Sequence, residues 1–116
     1  MELQQLKQEL ETELQEILQY WMINTPDLAQ KGFYGRIDEN NIPDAGAPKG
    51  SVLNARILWT FSAAFNHDPK PGYLAIADRA YDYIRNYFTD KHFGGIYWSV
   101  DSKRNPLDTK NQMYAL

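Results

Sequence analysis

With 116 residues, a net charge of −3 and no cysteine, the chain suits one globular unit held without disulfides or thiolate-bound metal. Its mild acidity and lack of any basic run offer no electrostatic footprint for nucleic acid. No apolar stretch nears the roughly 20 residues that span a bilayer, and the charged N-terminus MELQQLKQELETELQEIL lacks the apolar centre of a secretory signal, so a cytoplasmic protein is expected.

The first predicted element is a helix over residues 2–21. Leu3, Leu6, Leu10, Leu14, Ile17, Leu18 and Trp21 recur at helical spacing within an arc of roughly 100°, which predicts one buried face. Thr25-Pro26-Asp27 then marks a turn. Gly32 to Asp38, with two glycines and two adjacent aromatics, reads as an extended rim segment. The Asn-, Pro- and Gly-rich stretch 39–50 is a loop, and Ser51 is placed to cap the next helix.

That second helix, residues 51–65, is apolar on nearly every side, which predicts a helix enclosed by protein. It nevertheless carries Arg56, between Val52, Thr60 and Ala63. A guanidinium cannot shed its charge, so a buried one needs either a structural counter-ion or a polar pocket. Trp59, on the same helix, reads as core. After the breaker Asn66 to Gly72, a third, amphipathic helix is predicted over residues 73–88. Ile96 to Val100 reads as a short strand and Asp101 to Asn105 as a hairpin turn. A fourth helix is expected from about Thr109.

Gly32-Phe33-Tyr34-Gly35-Arg36-Ile37-Asp38 and Gly95-Ile96-Tyr97-Trp98-Ser99-Val100-Asp101 share a pattern of Gly, apolar, Tyr, two variable positions, a β-branched residue and Asp, 63 residues apart. Each copy follows an amphipathic helix and precedes one expected to be buried. Such hairpins bury their faces only by stacking on neighbours. An α/α toroid closes the stack, and six hairpins of this length need roughly 380 residues. On this reading residues 1–116 form a single unit of a mainly α protein, the N-terminal portion of an (α/α)6 barrel with about two helical hairpins and short rim segments.

Specific stretches carry a family resemblance: GFYGRI at 32–37, PKGSVLNARILWTFSAA at 48–64, ADRAYDY at 77–83, GGIYWSVD at 94–101 and NPLDTKNQMYA at 105–115. Together they resemble the N-terminal part of the cellobiose 2-epimerases, of the N-acylglucosamine 2-epimerase superfamily of (α/α)6 barrels. The resemblance implies a carbohydrate isomerase that inverts C2 of the reducing-end sugar of a β-1,4-disaccharide through a cis-enediolate, with no cofactor and no metal. It implies a catalytic role for Arg56 near the reacting oxygens and a substrate-binding role for Tyr114. The two proton-transferring histidines of such enzymes lie on later helices. His67 and His92 match neither, so these residues alone are expected to be inactive. The alternatives are a truncated, non-catalytic protein that forms homo-oligomers through its exposed inner-helix surface, or an epimerase for β-1,4-mannobiose or N-acylglucosamine.

Overall fold

The computed structural model describes residues 2–92 and 94–108. Helices α1 (Leu3–Asn24), α2 (Ser51–His67) and α3 (Pro71–Tyr83) dominate, and α3 runs into a wider π-turn, Ile84–Phe88. Pro71 opens α3 because the first helical position needs no N–H and suits its fixed φ. Three short strands, β1 (Lys49–Gly50), β2 (Ser99–Val100) and β3 (Pro106–Asp108), form one antiparallel sheet in the order β1-β2-β3. The predicted strand over 96–100 thus shortens to its last two residues, and the predicted helix over 73–88 divides between α3 and the π-turn. The expected fourth helix lies outside the described residues.

Two apolar clusters hold the elements together. Leu18 of α1, Phe33 of the rim, Ile57 and Phe61 of α2, and Tyr73, Ile76, Ala77 and Ala80 of α3 form the first. Tyr83, Phe88, Ile96 and Val100 form the second, under the sheet. Each large side chain fully buried this way contributes about 1.5–3 kcal/mol.

The first two helices depart from the sequence expectation. Only Leu18 of α1 is buried, while Leu3, Leu6, Leu10, Leu14 and Ile17 stand exposed. The C-terminal third of α1 reaches the first cluster, and the seam beyond it is left exposed among the described residues. On α2 the buried positions are Ser51, Asn54, Ile57 and Phe61. Their spacing draws a single line along the helix, so α2 is covered on one side and bare on the other. Ser51 is the first helical residue rather than the cap. Its hydroxyl and its N–H both donate to the Trp98 carbonyl (3.1 and 3.0 Å), fastening the start of α2 to the second rim segment.

The internal repeat is reproduced bond by bond. Asp27 N–H donates to Gly32 O and Tyr34 N–H to Thr25 O; 63 residues on, Asp90 N–H donates to Gly95 O and Tyr97 N–H to Phe88 O. Lys31 and Gly32 hold positive φ (71° and 66°), as do Gly94 and Gly95 (77° and 82°). At Gly32 a Cβ would also meet the Tyr83 ring at 2.5 Å, so this left-handed position admits only glycine without displacing that ring. The Asp38 carboxylate accepts from Asn40 and Ile42 N–H, and that of Asp101 from Lys103 and Asn105 N–H. Asp38 spends its carboxylate on this turn, and Arg36 and Asp38 form no ion pair among the described residues.

A buried ion pair locks the first rim segment. Lys49 Nζ lies 3.0 Å from Asp27 Oδ2, and each side chain is 1% exposed. The ammonium also donates to the Lys31 carbonyl at 2.6 Å, and stands 5.3 Å from the centre of the Tyr83 ring. The other Asp27 oxygen accepts from Ala29 and Gln30 N–H. Arg79 of α3 donates to the carbonyls of Gly32 and Asp27. Burial by itself would raise the Asp27 pKa, but donation from Gln30, Lys49 and Ala29 outweighs it and holds the carboxyl below its ordinary 3.8. Burial pushes the Lys49 ammonium down, against the pull of Asp27. Burial also pushes the Tyr83 phenol up to about 12, and its hydroxyl has no hydrogen-bond partner among the described residues.

Removing one member of such a pair strands the other charge in a dry site. Asp27→Asn is therefore expected to cost about 3–5 kcal/mol, a large share of the roughly 5–15 kcal/mol that holds a domain, read from urea unfolding at pH 7. The pH dependence follows from the sign of the shift. A carboxyl with a lowered folded pKa contributes stability above its ordinary 3.8, and that stability is lost as pH falls through the lower folded value. Melting temperature should drop in that acid range in the parent chain, and Asp27→Asn should flatten this component of the curve.

Candidate functional site

Arg56 projects from the second turn of α2, on the side opposite the line Ser51, Asn54, Ile57 and Phe61. It is exposed, as are Trp59, Thr60 and Ala63 on the same side, and among the described residues it makes no ion pair or hydrogen bond. The structural counter-ion left open by the sequence is therefore absent from the described part of the chain. Thr60 flanks Arg56 in a groove of about 260 Å³ between α1 and α2, together with Ile17, Leu18, Trp21 and Leu53. Trp59, expected in the core, is instead 73% exposed. The enclosed-helix pattern that suggested a core position is real in the sequence, but nothing described here covers that side of α2.

Two larger grooves flank α2. One, of about 430 Å³, runs between α1 and the C-terminal half of α2, past Leu14, Leu18, Trp59, Ala63 and Tyr73. The other, of about 440 Å³, lies between α2 and α3, past Ala55, Leu58, Trp59, Ser62 and Tyr81. Both are open and mainly apolar, which suits packing against further helices better than holding a polar ligand.

The rim fixes the level of Arg56. β1 pairs with β2 and leads directly into α2, and Asn54, fully buried, donates to the Gly50 carbonyl. The guanidinium thus stands on a rigid helix, anchored at its first turn by the sheet and by the Ser51 contacts with Trp98. Chemically it offers a permanent cation with five N–H donors, suited to oxygens that gain negative charge. Tyr114 lies outside the described residues. His67 is the last residue of α2 and is exposed; the His92 N–H donates to the Asp90 carboxylate in the second rim turn. The two histidines are thus placed on different elements, and the structure does not bring either together with Arg56 as a described contact. Among the described residues no cluster of three or more His, Cys, Asp or Glu side chains is arranged to hold a metal ion, and no helix is long and apolar enough to cross a membrane. Trp59 is the residue that sequence reasoning misplaced. Its only signal was its position three residues after Arg56, on the same side of the helix.

The comparisons with known proteins converge. The model of the N-acylglucosamine 2-epimerase (GlcNAc 2-epimerase) family matches residues 32–116. A cellobiose 2-epimerase from Bacteroides fragilis is 47% identical over 112 residues, 96% of this chain and 29% of that protein. The cellobiose 2-epimerase structure from Spirochaeta thermophila superposes with a TM-score of 0.89 at 39% identity, over 97% of this chain and 28% of that one. The Bacillus thermoamylovorans cellobiose 2-epimerase superposes with a TM-score of 0.91 at 35% identity, covering 97% and 29% respectively. These structures are (α/α)6 barrels, and the chain matches their N-terminal part. The chain spans about 30% of the length of the curated relatives it matches.

An exposed, unpaired arginine contributes little to folding. Arg56→Ala is expected to change the unfolding free energy of this chain by no more than about 0.5 kcal/mol, measured by urea denaturation beside the parent.

Proposed function

The chain belongs to the N-acylglucosamine 2-epimerase family, and from that premise we propose that its residues form one wall of a sugar 2-epimerase acting on the reducing end of a β-1,4-disaccharide. The observation that carries this reading is Arg56: a permanent cation on a rigid helix, without a partner of its own among the described residues, within the LNARILWTFSAA stretch of a chain from an epimerase family. After ring opening, a base removes the C2 proton and leaves a cis-enediolate. Reprotonation from the opposite face gives the epimer. Arg56 donates to the enediolate oxygens, where charge develops, and a fixed donor in a water-poor pocket is worth most at that moment. Tyr114 has the substrate-binding role in this reading. Imidazoles supplied by residues other than His67 and His92 move the proton, because they titrate near working pH. No cofactor takes part.

The experiment is turnover of cellobiose followed by NMR for the C2-inverted product. The complete barrel that carries these residues should convert it, and the 116-residue chain by itself should not. Arg56→Ala in the complete barrel should lower kcat by about 100-fold or more, with Arg56→Lys recovering only part because an ammonium lacks the planar fork. An unchanged kcat in Arg56→Ala would remove the arginine from the chemistry.

A second reading rests on the bare seam of α1, where Leu3, Leu6, Leu10, Leu14 and Ile17 stand exposed along one helix face. The 116-residue chain on its own covers that seam by self-association. Light scattering after size exclusion should then give a mass above one chain, and Leu10→Glu with Leu14→Glu should return it to the monomer.

A further inference from the structure

We propose that Trp59 is a substrate-contacting residue, its indole forming the apolar floor of the pocket beneath the reducing-end hexose; this rests on the reading of Arg56 given above. At 100° per residue, Trp59 falls nearly opposite the buried line of Ser51, Asn54, Ile57 and Phe61. Trp59 and Arg56 therefore both lie within about 35° of the crest of the uncovered side, one to either side of it. Trp59 borders both grooves flanking α2, so it stands on the ridge between them. Helices packing beside α2 occupy the grooves, and the ridge is left to face the pocket.

Depth and space fit the same role. Three residues further along the helix, Trp59 lies roughly 4.5 Å farther from the rim sheet than Arg56. The cation thus sits at the level of the reacting oxygens and the indole below it. One turn to either side of Trp59 are Ala55 and Ala63, both short side chains. Trp59 is 73% exposed, whereas Trp21 and Trp98 are half-buried against the chain's own residues. A hexose presents a face of C–H groups that matches an indole in area and polarity, while its hydroxyls remain for Arg56 and its neighbours. An apolar floor also excludes water from beneath an enediolate, which strengthens the arginine's interaction with it.

The test uses the complete barrel with Trp59→Ala and Trp59→Phe, measuring KM and kcat for cellobiose alongside melting temperature. Contact with the sugar predicts that Trp59→Ala raises KM about tenfold or more at a melting temperature near the parent's, and that Trp59→Phe, which keeps a flat ring, raises it less. Kinetics within twofold of the parent in both variants would overturn the proposal. So would a Trp59→Ala that does not fold beside a Trp59→Phe with parental kinetics, because the indole would then serve packing. If Trp59→Ala does not fold and Trp59→Phe still raises KM, the contact stands. A parent barrel inactive on cellobiose would instead overturn the epimerase reading and this inference with it, whereas an active parent that loses turnover in Arg56→Ala but not in the Trp59 variants overturns this inference alone.

Discussion

The Lys49–Asp27 ion pair ties together parts of the chain that local preference would not join. Asp27 closes the turn after α1, and Lys49 opens the strand that leads into α2. The pair brings the two ends of a 22-residue excursion together inside protein, with Arg79 of α3 holding the same turn from the other side. Desolvating two charges is costly. Here the cost is offset by further bonds: Asp27 takes two backbone N–H groups, and Lys49 gives to a carbonyl and lies against the Tyr83 ring. The arrangement sets the height at which α2 begins, and through it the level of everything α2 carries.

Much of this was legible in the sequence, for reasons that differ by element. The three helices follow from apolar spacing and breakers, and their observed ends fall within a few residues of the expected ones. The 63-residue repeat was visible because glycines, aspartates and β-branched residues are demanded by particular backbone bonds, and the same bonds recur in both copies. The ion pair was not visible: Asp27 and Lys49 each sit in polar, turn-rich sequence that reads as solvent-exposed loop. The family was legible because long ordered runs around Arg56 and Trp98 match it, and the comparisons bear that out. The coverage of α1 and α2 was not legible. Apolar periodicity reports that a face is destined for burial but not which residues do the burying, and most of the α1 seam and the Trp59 side of α2 find none among those described.

That division clarifies what α2 is for. One side, from Ser51 to Phe61, is spent on α3, the rim and the C-terminal end of α1. Two further flanks are open, mainly apolar grooves. The strip that remains carries Arg56 and Trp59, a cation and an aromatic plane on one rigid support. The covered side and the sheet at its first turn hold the helix, and rigid placement is what a positioned charge needs to be effective.

The ion pair also sets an order on assembly. The turn after α1 is fastened by Lys49 and by Arg79, 22 and 52 residues further along the chain. On a ribosome releasing roughly 5–20 residues per second, Lys49 is made before α2 and Arg79 only near the end of α3, so the turn acquires its last two bonds once most of α3 has been made. The first rim turn is thus completed by α3, an element that enters the chain only after α2.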